Sequence, residues 1–215
     1  MSGRSSTREL VVLAGALVAC GSKAPEADPA AVTKLAQTIA TNTPAFGGVR
    51  ACGSGELVGA TLTHVTLAHL AHQKVPDLPY NAAWASPPEL DAPAARVLLD
   101  ASPDATEARR AAAALLAAPS YVVYRLDSMD APMAFGMKTP KRGAMSGRAI
   151  RYDRDGRPVC VTLFAIRNDE ERAAWAIAHS DRAIIDPEVA QALREDLAAQ
   201  YVLHAPRGAS AGSAN

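Results

Sequence analysis

Aromatic residues and net charge are both scarce in this chain of 215 residues. Phe, Trp and Tyr make up 5% of the sequence, although hydrophobic residues together reach 49%. The core must therefore depend mainly on aliphatic side chains, each of which buries less area than an aromatic ring. Lys and Arg number 22, Asp and Glu also number 22, and the formal net charge is zero. Such a chain lacks the positive field expected of a nucleic-acid-binding protein.

Several local motifs that carry chemistry are also missing. The sequence contains no Cys-x-x-Cys redox pair, no His-Glu-x-x-His zinc site and no phosphate-binding Gly-x-x-x-x-Gly-Lys loop. Ser54, which two glycines flank, lacks the Gly-x-Ser-x-Gly turn of hydrolases. No cofactor is predicted, and an enzyme would have to assemble its site from residues that lie far apart in the sequence.

The N-terminal hydrophobic run is too short to cross a membrane. It covers residues 10–19 and follows a polar segment with Arg4 and Arg8. As a helix, ten residues extend about 15 Å, whereas the hydrocarbon core of a bilayer is about 30 Å thick. A basic segment followed by a short apolar run is the layout of an export signal.

The end of this run, Leu17-Val18-Ala19-Cys20, resembles the lipobox of bacterial lipoproteins. The resemblance covers residues 1–21 and implies a cellular location rather than a fold. It implies that residues 1–19 are a signal peptide and that Cys20 receives the lipid that anchors the chain. Gly21 after the cysteine, rather than aspartate, implies sorting to the outer membrane. The implied location is the bacterial cell envelope, with the membrane as partner through Cys20.

Composition divides the remainder into three parts. Residues 20–29 are small, polar and proline-containing, which is typical of a tether. Residues 207–215 lack any large apolar side chain and are predicted to be a disordered tail. Residues 30–206 are predicted to form a single globular domain.

Helical patterns dominate the first half of that domain. Asp28 and Pro29 predict the start of a helix over 30–42, and residues 56–73 predict a longer helix. Proline-rich residues 74–93 are expected to form an irregular loop. Ser102 is expected to cap the next helix, which ends before Pro119.

Strand-forming residues follow. They predict strands near 121–127, 146–152 and 159–166, with 48–52 as a further candidate strand. Residues 153–156, Asp-Arg-Asp-Gly, predict a hairpin turn. Asn168 or Asp169 and the Asp-Pro pair before residue 188 predict two final helices. The predicted fold is therefore α+β, with a small antiparallel sheet packed against about five helices.

Cys52 and Cys160 are the two cysteines that remain beside Cys20. In an oxidising compartment such a pair favours a disulfide, which would close a long loop. Two buried free thiols, or a redox-active pair, are the alternatives that the sequence leaves open.

One set of histidines and one set of methionines suggest the hypothesis that the chain binds a metal ion. His64, His69 and His72 have spacings that allow a shared helix face. Met129, Met133 and Met137 fall in a methionine-rich stretch of the kind that can bind Cu(I). The alternative readings are surface or core histidines, and an apolar loop that packs on the sheet.

A basic cluster offers a hypothesis of anion binding. Its members are Lys138, Lys141, Arg142, Arg148 and Arg151. An anionic glycan, a lipid headgroup or an acidic envelope protein would be the partner. The alternative is a solvated hairpin face whose charges protect a sheet edge from aggregation.

The sequence as a whole favours a lipid-anchored envelope protein that acts as a binding or structural module. An envelope hydrolase and a metal-handling lipoprotein are the two alternatives.

Overall fold

The computed structural model describes residues 24–44, 48–75, 86–130, 143–179 and 187–206, and these form an α+β fold. One four-stranded sheet is accompanied by six α-helices and one short 3-10 helix within the described residues. In chain order the elements are α1 (Pro29–Thr41), β1 (Ala60–Thr63), α2 (His64–Leu70), the 3-10 helix (Pro88–Leu90), α3 (Pro93–Leu99), α4 (Ala105–Leu116), β2 (Ser120–Asp130), β3 (Ala144–Asp153), β4 (Pro158–Arg167), α5 (Glu170–His179) and α6 (Pro187–His204).

The sheet is mixed, so the prediction of a purely antiparallel sheet was wrong. Its strand order is β1-β2-β3-β4, and β1 runs parallel to β2 whereas the other pairs are antiparallel. Residues 60–63, predicted to be helical, are the parallel strand. Gly59 has a φ of 135°, and β-branched threonines favour the extended backbone that follows. The helix starts only at His64, where the Thr63 hydroxyl accepts a hydrogen bond from the Thr66 N–H.

The predicted hairpin between β3 and β4 is confirmed. Gly156 has a φ of 76°, the left-handed conformation that the turn requires. The Asp153 carboxylate accepts hydrogen bonds from the backbone N–H groups of Asp155 and Arg157. Both strands extend slightly beyond their predicted limits, to Ala144–Asp153 and Pro158–Arg167.

Three of the five predicted helix starts are borne out; besides the helix predicted over 56–73, which begins at His64, the start of α4 is corrected. Asp28 accepts a hydrogen bond from Ala30 N–H at the start of α1, and Asp169 accepts from two N–H groups at the start of α5. Helix α6 begins at Pro187, as predicted. The cap of α4 is Asp104 rather than Ser102, because the Asp104 carboxylate accepts from the Glu107 N–H. Helix α3 follows the predicted loop, where no helix was expected.

The two faces of the sheet carry different cores. On the first face, side chains of β2 and β3 pack among α1 to α4; they include Tyr121, Val123, Ile150 and Tyr152. On the second face, Val122, Tyr124, Ala149 and Phe164 pack against Leu197 and Tyr201 of α6. The rings of Phe164 and Tyr201 stack with their centroids 5.6 Å apart. The sheet is therefore the central layer of the domain.

A disulfide joins the segment before β1 to β4. Cys52 and Cys160 are bonded, with their Cα atoms 4.9 Å apart, which confirms the predicted pairing. Beside it, Ala51 forms a parallel bridge with Val161, and the Cys52 N–H donates to the Val161 carbonyl at 2.9 Å. The 48–52 segment thus meets the sheet edge through a single bridge rather than as a full strand. Among the helices described, none is long and apolar enough to span a bilayer.

Candidate functional site

The first face of the sheet holds a pocket of about 130 Å³ below the ends of α1 and α2. Strands β2 and β3 contribute Val123 and Ile150 to its apolar lining, and α2 contributes Leu67 and Ala68. The polar and charged side chains that line it are those of Thr43, His64, Gln73, Lys74, Arg125 and Tyr152. An apolar pocket with a few converging polar groups is the usual form of a small-molecule site.

His64 is the most unusual member of this lining. It is the first residue of α2 and is 8% exposed. Neither ring nitrogen has a hydrogen-bond partner, although both are shielded from solvent. Burial lowers the pKa of His64 below 6.5; the nearby Tyr124 carbonyl raises it, but that contact falls outside hydrogen-bond geometry. The imidazole is therefore a neutral donor and acceptor with neither function used.

Of the residues that the structure describes, the charged ones that line the pocket are the cations Lys74 and Arg125. The Arg125 Nε lies 3.3 Å from the Asp127 carboxylate. That carboxylate also accepts two hydrogen bonds from Arg148, at 2.7 and 2.8 Å. Two arginines thus share one carboxylate, and Arg148 donates in addition to the Pro44 carbonyl at 3.2 Å.

Tyr152 is among the residues that line the pocket, and its side chain is fully buried. Burial raises the pKa of Tyr152 above its usual value of 10, so the phenol is neutral and can donate. Its present partner, the Thr43 hydroxyl, lies 3.4 Å away, at the long end of hydrogen-bond distances.

A second buried polar group lies at the start of α2, and its hydrogen bonds are made within the protein. Asp91, 6% exposed, accepts from the Thr63 N–H at 2.6 Å and from the Thr66 hydroxyl at 2.7 Å. The Ser86 hydroxyl lies 2.7 Å from that of Thr63 and 3.2 Å from that of Thr66. Burial raises the pKa of Asp91. The network ties the 3-10 helix region to the β1–α2 junction.

The structure separates the three histidines of the metal hypothesis. His64 is buried, whereas His69 and His72 are exposed. No group of three His, Cys, Asp or Glu side chains suited to a metal ion occurs in the part of the chain that is described. Met129 is half-buried against the core of the second face, and Met133 and Met137 lie outside the described residues.

Two members of the basic cluster are described, and they lie on opposite faces of the sheet. Arg148 follows the alternation of Ile150 on the first face, and Arg151 that of Ala149 on the second. Lys138, Lys141 and Arg142 lie outside the described residues, as does Cys20. Anion binding by this set stays a prediction.

Sequence reasoning singled out His64 but missed the residues that surround it. Arg125, Tyr152 and Thr43 come from three different elements, and only the β2–β3 register and the position of α1 bring them together. Asp91 was likewise missed, because it lies in a region expected to be an irregular loop. An arginine in an apolar strand, such as Arg125 after Tyr121–Tyr124, was the one local signal available.

Comparison with known proteins adds no functional assignment. No protein-family model matches the chain, and no match to a curated protein or to a solved structure was found.

Proposed function

We propose that this chain is a lipid-anchored cell-envelope protein that acts as a binding module for a small molecule. The lipid on Cys20 fixes the chain to the membrane, in the outer membrane by the implied sorting pattern. The domain of residues 30–206 faces the envelope compartment and holds its ligand without transforming it.

The disulfide is the observation that carries the proposal of export. The sequence has three cysteines, and Cys52 and Cys160 are bonded to each other. Stable structural disulfides are typical of proteins outside the reducing cytoplasm. Cys20 is then the one cysteine left for modification, and it stands at the end of a signal-like apolar run. The pairing of the cysteines therefore agrees with the envelope location that residues 1–21 imply.

The pocket beside His64 supports the binding part of the proposal. It is partly enclosed, has an apolar floor and contains a buried side chain whose hydrogen-bonding capacity is unused. Among the described residues, its charged lining groups are the cations Lys74 and Arg125. These features support a binding role.

Labelling and mass spectrometry of the purified, membrane-extracted protein test the anchor. We expect the N-terminus of the mature chain to be an acylated Cys20. Because each buried methylene of an acyl chain contributes about 0.8 kcal/mol to membrane binding, a Cys20→Ala variant should lose the lipid and leave the membrane fraction.

The matched control is the double variant Cys52→Ser with Cys160→Ser. It should remain lipidated, yet lose about 4 kcal/mol of unfolding free energy because a loop spanning 108 residues is no longer closed. An intact N-terminus from Met1, or an unmodified Cys20 thiol in membrane-extracted material, would contradict the proposed anchor.

A further inference from the structure

We propose that the open edge of β4, residues 163–167, pairs with the same edge of a second copy of this chain and joins two sheets into one. The pairing is antiparallel and places Ala165 of each copy opposite Ala165 of the other. This inference goes beyond the proposed binding function, and it depends neither on the pocket beside His64 nor on the lipid.

The first edge strand of the sheet, β1, is covered by the protein itself. It has four residues. The Thr63 N–H donates to the Asp91 carboxylate at 2.6 Å, and the Thr61 carbonyl accepts from the Ala92 N–H at 2.8 Å. A short strand whose outer peptide groups are already bonded offers little to another chain.

The other edge strand, β4, has ten residues and is covered for only part of its length. The Val161 N–H donates to the Arg50 carbonyl at 3.0 Å, and its carbonyl accepts from the Cys52 N–H at 2.9 Å. Peptide groups along an antiparallel strand point alternately toward its neighbour and away from it. The later residues that face the same open side as Val161 are therefore Leu163, Ala165 and Arg167. Within the described part of the chain, their outward peptide groups have no hydrogen-bond partner.

This segment lacks the features that protect sheet edges from other chains. Leu163 is 60% exposed and Ala165 is also exposed. Residues 162–166 contain neither a charge nor a proline, and the irregularity in the β3–β4 register lies at the far end of the strand, beside Pro158. Charged side chains, prolines and bulges are the usual protection against pairing. An apolar edge without them indicates a pairing surface.

The open edge is complementary to itself in one register. With Ala165 opposite Ala165, Leu163 of each copy lies opposite Arg167 of the other, and every outward residue is used. The aliphatic stem of Arg167 then covers the exposed leucine while its charge stays in water. The two Arg167 positions are about 14 Å apart along the strands, beyond the screening length of about 8 Å, so like charges do not oppose the pairing.

The geometry also limits the assembly to two copies. Because β1 is covered, each chain has one open edge in its described part, and a two-fold pairing of that edge closes on itself. The segment that covers Val161 leaves the edge after Cys52, since Leu57 is buried in the core of the second face. The surface is small, so we expect a transient dimer that has to be trapped.

The experiment is thiol crosslinking of the full chain, purified from membranes in detergent. The Ala165→Cys variant is mildly oxidised, and mass spectrometry of the linked peptides locates the new bond. We expect a disulfide between position 165 of two chains, because directly opposite Cα atoms in such a pair lie about 5.5 Å apart. Asp155→Cys, at the exposed hairpin turn, is the control and should form about tenfold less dimer.

A mixture of Leu163→Cys chains with Arg167→Cys chains tests the register. It should link position 163 to position 167, whereas Leu163→Cys alone leaves two thiols about 14 Å apart, too far for a direct disulfide. Adding Ala165→Pro to both chains should reduce the link about tenfold, because proline lacks the N–H that pairs. Ala165→Val, which keeps that N–H, should preserve the link, and circular dichroism confirms that each variant is folded.

No link between positions 165 above the level of the Asp155→Cys control would overturn the inference, as would a 163–163 link as abundant as the 163–167 link. Crosslinking of Ala165→Cys in intact cells to a different protein, in place of a second copy, would also overturn it. A dimer linked through Cys20 would contradict the lipid anchor instead, and the 165–165 link would still decide the pairing.

Discussion

Asp91 and His64 are two buried polar side chains at the same junction, and their surroundings differ completely. Asp91 bonds to the backbone of Thr63, the residue that precedes His64, and also accepts from the Thr66 hydroxyl. His64 has no hydrogen-bond partner for either ring nitrogen. A buried polar group left unpaired costs about 1–3 kcal/mol, so such groups are rare in folded proteins. The carboxylate of the first residue is satisfied within the fold, whereas the imidazole of the second is left without a hydrogen-bond partner.

The difference follows from what each side chain faces. Asp91 faces hydroxyl groups from α2 and from the start of the 3-10 helix region, which close the network on themselves. His64 lines a pocket together with Arg125 and Tyr152, and neither of its ring nitrogens has a hydrogen-bond partner. Burial alone therefore does not distinguish the two side chains; the presence or absence of a hydrogen-bond partner does.

Loss of Asp91 should produce the largest effect. An Asp91→Ala variant leaves the Thr63 N–H and the Thr66 hydroxyl without their acceptor, and we expect it to lower the free energy of unfolding by about 3 kcal/mol. Urea denaturation followed by circular dichroism measures this. Asp155→Ala, at an exposed turn position, is the control and should change stability by less than about 0.5 kcal/mol. Equal losses in the two variants would mean that the Asp91 network contributes little.

The next largest effect should be a loss of stability at low pH that His64 causes. Burial lowers its pKa below 6.5, and nearby Arg125 acts in the same direction while Asp127 opposes it. As the pH falls through 6.5, the unfolded chain takes up a proton that the folded chain does not. Stability is therefore fully present above that pH and decreases below it, by at most about 1.4 kcal/mol per pH unit for one proton.

Unfolding curves between pH 7.5 and 5.5 measure this slope, and the His64→Leu variant isolates it. The wild-type protein should lose more stability over this range than the variant. Parallel curves for the two proteins would show that His64 titrates in the folded state as it does in the unfolded chain, contrary to its burial.

At pH 7.5 the same His64→Leu substitution should stabilise the unliganded protein by about 1 kcal/mol. The leucine replaces an imidazole whose polar atoms have no partner with an apolar side chain of similar size. Urea denaturation at this pH measures the change. A loss of more than about 1 kcal/mol would indicate that the imidazole makes a stabilising interaction in the free protein.

The smallest effect on stability should come from Arg125→Gln. The Arg125 side chain is half-exposed, its ion pair with Asp127 is long, and Asp127 keeps both hydrogen bonds from Arg148. We expect a change of less than about 0.5 kcal/mol in unfolding free energy, measured by urea denaturation. A stability loss comparable to that of Asp91→Ala would contradict this prediction and show that Arg125 stabilises the fold.

The elements that the sequence predicted well are those with local signals. The residue types of the Asp153–Gly156 turn are sufficient to predict it. In the same way, Asp28 and Pro29 together predict the start of α1. Strand β1 was missed because its four residues gain their partner, Tyr121–Tyr124, from a segment about sixty residues away. A pattern of apolar residues that short fits a helix turn as well as a buried strand.

The candidate site could be predicted only in part for the same reason. The spacing of His64, His69 and His72 allowed a shared helix face, but α2 begins at His64 and ends at Leu70. His72 follows that end with a φ of 53°, so it no longer continues the helix face. Neighbours such as Arg125 depend on sheet register, which no local pattern determines.

The most direct test of the central claim, that His64 is buried without a hydrogen-bond partner, is nitrogen NMR of its ring in the full mature chain between pH 7.5 and 5.5. We predict a neutral ring at pH 7.5, with the midpoint of its protonation below pH 6.5. A protonated ring at pH 7.5, or a protonation midpoint at or above pH 6.5, would contradict the account.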